Sequence, residues 1–234
     1  MRRAVIAIAC LVTVLGISCP ASAEVLEKTG TFAGLRVTYK VVQPDGFDPA
    51  KTYPLVLVFT GGPQTLQIAT STVENDWRKE AERRGYIVVA PASPNGELFF
   101  EGADRIFPAF LDQLLREYHV RGGIMHVAGH SNDGLSTFHV AARYPKYFST
   151  VTGYPGLLDG PDVARADVLK DKCLFMHVGD QDPGWMSPMQ EQARELSKRG
   201  FKIRIAVEKN QVHRLKAQEI DLSRRLFDEI ESCR

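Results

Sequence analysis

Ser131 is the residue whose setting first points to chemistry. An apolar, strand-like run, Ile124-Met125-His126-Val127-Ala128, leads into Gly129-His130-Ser131-Asn132-Asp133-Gly134, and a helix-like run follows from Leu135 to Arg143. A serine on a sharp strand-to-helix turn is held above the sheet with its hydroxyl exposed, and the amides of the following helix point at any oxyanion formed there. A serine before a helical run is also a good N-cap, and the turn alone does not separate the two readings. A serine hydroxyl is a weak nucleophile at neutral pH, so it needs an adjacent base and an acid that orients the base. Downstream, the apolar run Leu174 to Val178 ends in Gly179-Asp180-Gln181-Asp182-Pro183. The run Phe201 to Val207 is followed by Glu208-Lys209-Asn210-Gln211-Val212-His213. His119, His126, His139 and His177 lie before a turn, inside strands or on a helix, where a histidine is more often packed or superficial than a base.

The elements that would position these groups alternate along the chain. Leu35 to Val42 alternates like a half-buried strand and stops at Gln43-Pro44-Asp45-Gly46. Leu55 to Phe59 is apolar on both faces, as a central parallel strand is, and Gly61-Gly62-Pro63 ends it. A helix-like segment around Glu74 to Arg84, stopped by Gly85, precedes the strand Tyr86 to Ala90. Ile106, Phe110, Leu111, Leu114 and Leu115 recur at helical spacing ahead of the strand that leads to Ser131. Ser149 to Thr152, Leu174 to Val178 and Phe201 to Val207 read as strands, and Met186 to Arg199 and Ala217 to Cys233 as helices. Repeated βα units imply a mostly parallel sheet with helices on both faces.

At 234 residues, 44% apolar and 24% charged, the chain has the composition of one globular domain. Residues 1–23 combine Arg2 and Arg3, an apolar stretch from Ala4 to Ile17, and Ala21-Ser22-Ala23. This is the pattern of a secretory signal peptide, and its apolar part is short for a transmembrane span. Export to the periplasm or the medium is the expectation, with residues 24–234 as the single domain; a lipoprotein acylated at Cys19 is the competing reading. Loss of Arg2 and Arg3 takes the formal charge from +1 to −1, which gives no electrostatic case for nucleic acid or an anionic membrane as partner. Of the cysteines, Cys173 opens a strand and Cys233 closes the last helix. In a parallel α/β sheet a helix end lies at the same edge as a strand start, so the two sulfurs are within reach of a disulfide; two free buried thiols are the alternative. The cysteines lack zinc spacing, the Asp and His residues are dispersed, and no Gly-rich phosphate loop follows the first strand, so no metal or other cofactor is expected.

Taken together, the turn around Ser131 resembles the nucleophile elbow of the α/β-hydrolase superfamily, Gly-x-Ser-x-Gly, with Asp133 in the last position and Gly134 one place late. Gly179-Asp180-Gln181-Asp182-Pro183 looks like the family's strand-Gly-x-x-Asp-Pro turn, and Thr60-Gly61-Gly62-Pro63 resembles its His-Gly-Gly motif with threonine for histidine. The resemblance spans about Leu35 to Cys233. It implies a three-layer α/β-hydrolase fold and the chain order nucleophile, acid, base: Ser131, Asp182 with Asp180 as runner-up, and His213. It also implies an oxyanion hole from the amides of Asn132 and Gly62. Pro63 has no N–H to offer, and Gln64 contributes only if the loop swings.

Tyr53-Pro54-Leu55-Val56-Leu57-Val58-Phe59 with its Gly-Gly, the Ser-Asn-x-Gly turn and Ala141-Ala142-Arg143-Tyr144-Pro145 are similar to secreted polyhydroxybutyrate depolymerase-like and feruloyl or acetylxylan esterase-like enzymes. The expected activity is therefore serine esterase, with an exopeptidase as a neighbour on the same machinery. Tyr154 to Lys172 is too short for a large cap, which predicts an open site suited to polymeric or aromatic-acyl esters. Trp185 is expected at its rim, with Phe99 and Phe100 as further candidates to line it. Asp133 should either point outward or crowd the turn. Together with Thr60 it also motivates the opposite reading, a hydrolase-fold protein that binds without catalysing.

Overall fold

The computed structural model of the chain describes residues 25–233, so the expected export signal and Cys19 lie outside the described residues. The strands that are apolar on both faces are buried on both: Leu55–Phe59 (β3) and Ile87–Pro91 (β4) have no exposed residue. Val25–Phe32 (β1) and Leu35–Val42 (β2) precede them. Met125–Gly129 (β5), Phe148–Gly153 (β6), Cys173–Gly179 (β7) and Lys202–Glu208 (β8) follow. Among the described residues these form one eight-stranded sheet in the order β1-β2-β4-β3-β5-β6-β7-β8. β1 pairs antiparallel with β2, and β2 antiparallel with β4; every later pairing is parallel. β1 has a Thr/Gly-rich sequence with weak strand signals. It is held by an uninterrupted register with β2, from Val25 opposite Val42 to Phe32 opposite Leu35.

Helices cover both faces. Leu66–Thr72 (α1) and Arg78–Arg84 (α2) are joined by a π-helical turn, Val73–Trp77. With the final helix Leu222–Ser232 (α6) they bury Ala69, Trp77, Ala81, Leu226 and Phe227 against Val56, Val58 and Val88. Phe107–Glu117 (α3), Asn132–Arg143 (α4) and Pro183–Lys198 (α5) lie over the other face, where Phe107, Phe110, Phe138 and Leu196 meet Leu57, Val89 and Val127. Odd residues of β3 enter one core and even residues the other, as the pleat requires. At roughly 1.5–3 kcal/mol for each large apolar side chain fully buried, these two cores are the main source of stability. Phe99 belongs to the core beneath α3, α4 and α5, with its ring centroid 5.2 Å from Phe59 and 5.1 Å from Phe107, and it is fully buried there.

The segment after β6 carries a turn and a 3-10 helical stretch, Gly160–Leu169, in place of a cap. At the opposite edge of the sheet Cys173 and Cys233 form a disulfide with Cα atoms 6.0 Å apart. No helix among the described residues is long and apolar enough to cross a membrane.

Candidate active site

In a parallel sheet the ends of the strands face one edge, and three of the βα loops there carry the predicted residues. The loop after β5 brings Ser131 into the turn with φ 62° and ψ −125°. This is a costly backbone for a residue with a Cβ, by about 1–3 kcal/mol, and it aims the side chain up from the sheet edge. Close packing imposes the turn. A Cβ on Gly129 would stand 2.3 Å from the Asp133 carbonyl oxygen, and one on Gly134 would stand 2.0 Å from that of Pro155. The backbone N–H of Ser131 donates to the Pro155 carbonyl at 2.9 Å.

Ser131, His213 and Asp182 meet although the first two are 82 residues apart. His213 Nε2 lies 2.8 Å from Ser131 Oγ, and His213 Nδ1 lies 2.7 Å from Asp182 Oδ2. With Nδ1 protonated toward the carboxylate, Nε2 is left as an acceptor for the hydroxyl hydrogen. The His213 side chain is 41% exposed and that of Asp182 13%, so solvent reaches the row from the imidazole end. Asp180 serves another purpose, since its carboxylate accepts the backbone N–H of Gln211 at 3.3 Å and helps shape the histidine loop.

The indole of Trp185, one turn into α5, packs against the imidazole of His213. The loop after β3 places Gly62 (φ 71°) beside the turn, with its carbonyl 3.4 Å from Asn132 Nδ2. The Asn132 N–H, at the start of α4, donates to no carbonyl among the described residues. A crevice of about 280 Å³ opens next to this loop, walled by Gly61, Gly62, His130, Asp76 and Arg214; none of Ser131, Asp182 and His213 lines it.

Asp133 departs from both sequence expectations, for it neither points outward nor crowds the turn. Its side chain is fully buried and meets the amide of Gln64, which is equally buried. The close approach that the last glycine of the pattern would serve is met by Gly134, whose Cα packs against Gly156. Burial raises the Asp133 carboxyl well above the usual carboxylate range; hydrogen bonds from Ser136 and Gln64 only partly oppose this.

No family model matches the chain. A segment of 141 residues, 55% of the chain, is 28% identical to dipeptidyl-peptidase 5 of Porphyromonas gingivalis and covers 20% of that protein, so the match spans about one fifth of the relative's length. Among solved structures, a thermostable esterase superposes with a TM-score of 0.74 at 18% identity, over 90% of this chain and 63% of that one. A ferulic acid esterase superposes with a TM-score of 0.69 at 17% identity, over 89% and 98%. An S-formylglutathione hydrolase from Agrobacterium tumefaciens gives 0.66 at 15%, over 92% and 99%. The fold is that of the α/β-hydrolases. Within the α/β-hydrolase fold the turn around Ser131 occupies the elbow between β5 and α4.

The side-chain roles of two neighbouring residues are not legible in the sequence. His130 lies between Gly61, whose Cβ would stand 2.6 Å from its Nδ1, and the carbonyl oxygen of His213, 3.2 Å from its Nε2. Burial lowers its pKa to about 4, so at neutral pH an uncharged ring donates Nε2–H to that carbonyl and anchors the histidine loop. Gln64 follows Gly61-Gly62-Pro63 in a left-handed conformation, φ 54°. The sequence offers Gln64 only as an alternative amide donor and gives no sign of the partners of either side chain, which are tens of residues away.

Proposed function

We propose that the protein is an exported serine hydrolase that cleaves carboxylic esters through an acyl-enzyme. The observation that carries this reading is the unbroken row from Ser131 Oγ through His213 to Asp182, at 2.8 and 2.7 Å. Ser131 Oγ attacks the ester carbonyl carbon while His213 Nε2 takes its proton. Asp182 holds Nδ1–H and stabilises the imidazolium. The carbonyl oxygen becomes an oxyanion facing the amides of Asn132 and Gly62. As the tetrahedral species collapses, the alkoxide leaves with the proton carried by His213. A water activated by the same imidazole then attacks the acyl carbon, and Ser131 is released with the carboxylic acid.

The exposed approach to His213 and the short segment after β6 favour large or aromatic-acyl esters, with Trp185 offering an aromatic face beside the reacting atoms. The solved esterases that share the fold support the class of bond. The match to a dipeptidyl-peptidase supports a second reading, cleavage of a peptide bond by the same three residues. Export is supported by the signal-like residues 1–23 and by the Cys173–Cys233 disulfide, a bond that persists in oxidising compartments.

A fluorophosphonate probe is the direct test. Stoichiometric labelling of the wild-type chain, absent in Ser131→Ala, together with hydrolysis of p-nitrophenyl acetate is expected. Failure of the wild type to label or turn over any ester between pH 6 and 9 would sink the proposal and favour the binding-protein reading. Turnover of dipeptidyl p-nitroanilides in preference to esters would move the assignment to peptidase.

A further inference from the structure

The proposed oxyanion hole draws its two amides from different loops, residues 60–64 after β3 and residues 130–134 after β5. Beyond the last paired residues of those strands, Phe59 and Gly129, no backbone hydrogen bond among the described residues joins the two loops. Their separation, which sets where two donors point, is left to side chains.

We propose that Gln64 and Asp133 form a buried clamp that fixes the oxyanion loop against the elbow, making both of them positioning residues for ester cleavage. The inference rests on the esterase reading above and adds two residues to it. Gln64 is fully buried and reaches three parts of the chain at once. Its Nε2 donates to Asp133 Oδ1 and, at 2.9 Å, to Ser136 Oγ on the next turn of α4. Its Oε1 accepts the backbone N–H of Phe99 at 3.0 Å, and its own carbonyl accepts that of Ser93 at 2.8 Å. Gln64 is held in a left-handed backbone conformation that a glycine would adopt at less cost, so the side chain is what the position requires.

On the other side, Asp133 is two residues from Ser131 in the first turn of α4, and Gln64 is two residues from Gly62. The Asn132 side chain makes a second tie, to the Gly62 carbonyl. Residues 132 and 133 thus hold residues 62 and 64, one contact at the surface and one beneath it. Charge is consistent with the role as well. An ionised carboxylate beside the forming oxyanion would oppose the reaction, and burial raises the Asp133 carboxyl pKa and so disfavours that charged form.

Kinetics of Gln64→Ala and Asp133→Ala on p-nitrophenyl acetate, with active sites titrated by fluorophosphonate, test the clamp. The expected result is a fall of about 10- to 100-fold in kcat, with KM within about threefold and stoichiometric though slower labelling of Ser131. Affinity for a trifluoromethyl ketone, which mimics the tetrahedral species, should weaken by the same factor as kcat/KM. Asp133→Asn, which keeps the shape and the acceptor, should restore kcat to within about threefold. The double variant should be no worse than the poorer single one, because each single change already opens the clamp.

If Gln64→Ala does not fold, the near-isosteric Gln64→Met carries the same expectation. Unchanged kcat in folded, fully titratable variants overturns the clamp while leaving the esterase reading intact. So does a fall in kcat that merely tracks the loss of titratable sites. A wild-type chain that takes up no probe overturns the esterase reading, and the catalytic role of the clamp with it.

Discussion

Trp185 and His213 stand with ring centroids 5.6 Å apart and planes inclined at 41°, so the indole directly flanks the imidazole. The Trp185 backbone N–H donates to the Asp182 carbonyl at 3.1 Å, which ties this residue to the turn that also supplies the carboxylate. Trp185→Ala should therefore lower kcat/KM for aromatic-acyl esters about 5- to 10-fold more than for acetate esters, the size of an aromatic pair contact. Steady-state kinetics on matched p-nitrophenyl and methyl cinnamate-type esters make the comparison. Equal losses on both would mean that the indole only supports the imidazole.

Asp182→Asn keeps the shape of the carboxylate but presents the wrong donor pattern to His213 Nδ1. A loss of about 10⁴-fold in kcat is expected, and His213→Ala should be at least as severe. Combining His213→Ala with Ser131→Ala should add nothing further. An additive pair, read by single-turnover ester hydrolysis, would show that the residues do not work as a unit.

His177 is fully buried between two glutamates, with Nδ1 3.0 Å from Glu208 and Nε2 2.8 Å from Glu229. Burial works against its charge, but the two carboxylates outweigh it and hold its pKa above the ordinary value. A group whose folded pKa is raised stabilises the protein fully below its unfolded pKa, about 6.5, and loses that contribution as pH climbs through the folded value. Thermal unfolding should therefore move to lower temperature as pH rises from about 6 to 9, and His177→Gln should flatten that slope. The Glu208 carboxyl behaves oppositely. Burial raises its pKa, but His177 and Arg225 overcome this and bring it to about 2, so its contribution is present above about 4.3 and lost as pH falls toward 2.

Asp133 gives a stability signature of its own. A buried carboxyl with a raised pKa favours the unfolded chain once pH exceeds the unfolded value, about 3.9, and the cost grows until pH reaches the folded value. Asp133→Asn should match the wild type in melting temperature near pH 4 and exceed it at pH 7. A difference that does not change with pH would mean that the carboxyl is ionised in the folded protein.

Cys173 and Cys233 tie the start of β7 to the residue after α6 and close a loop with a sequence separation of 60. The loop-entropy argument gives about 2–4 kcal/mol, or roughly 5–15 °C for a domain of this size. Calorimetry with and without reductant, or of Cys233→Ser, should find a loss in that range. The bond sits at the edge of the sheet away from the site, so kcat at 25 °C should not change. A fall in kcat that precedes unfolding would place the coupling elsewhere.

Short-range order is legible in the chain because it is written in neighbouring residues. The doubly apolar runs become β3 and β4, and the punctuation by Gly61, Gly85 and Gly179 marks where strands and helices stop. The placement of Ser131, Asp182 and His213 on three strand-to-helix loops follows from that order alone, because parallel strands bring such loops to one edge. What lay beyond the sequence depends on sheet order and register, which no local pattern encodes. Whether Asp180 or Asp182 reaches His213 is decided by the turn after β7, which spends Asp180 on the Gln211 amide. Phe99 turns into the core because Phe59 and Phe107 surround it, and β1 forms because β2 offers it an open edge. Asp133 has no partner within its own motif. Its partner, Gln64, is 69 residues earlier, and only the parallel pairing of β3 with β5 brings the two into one buried contact.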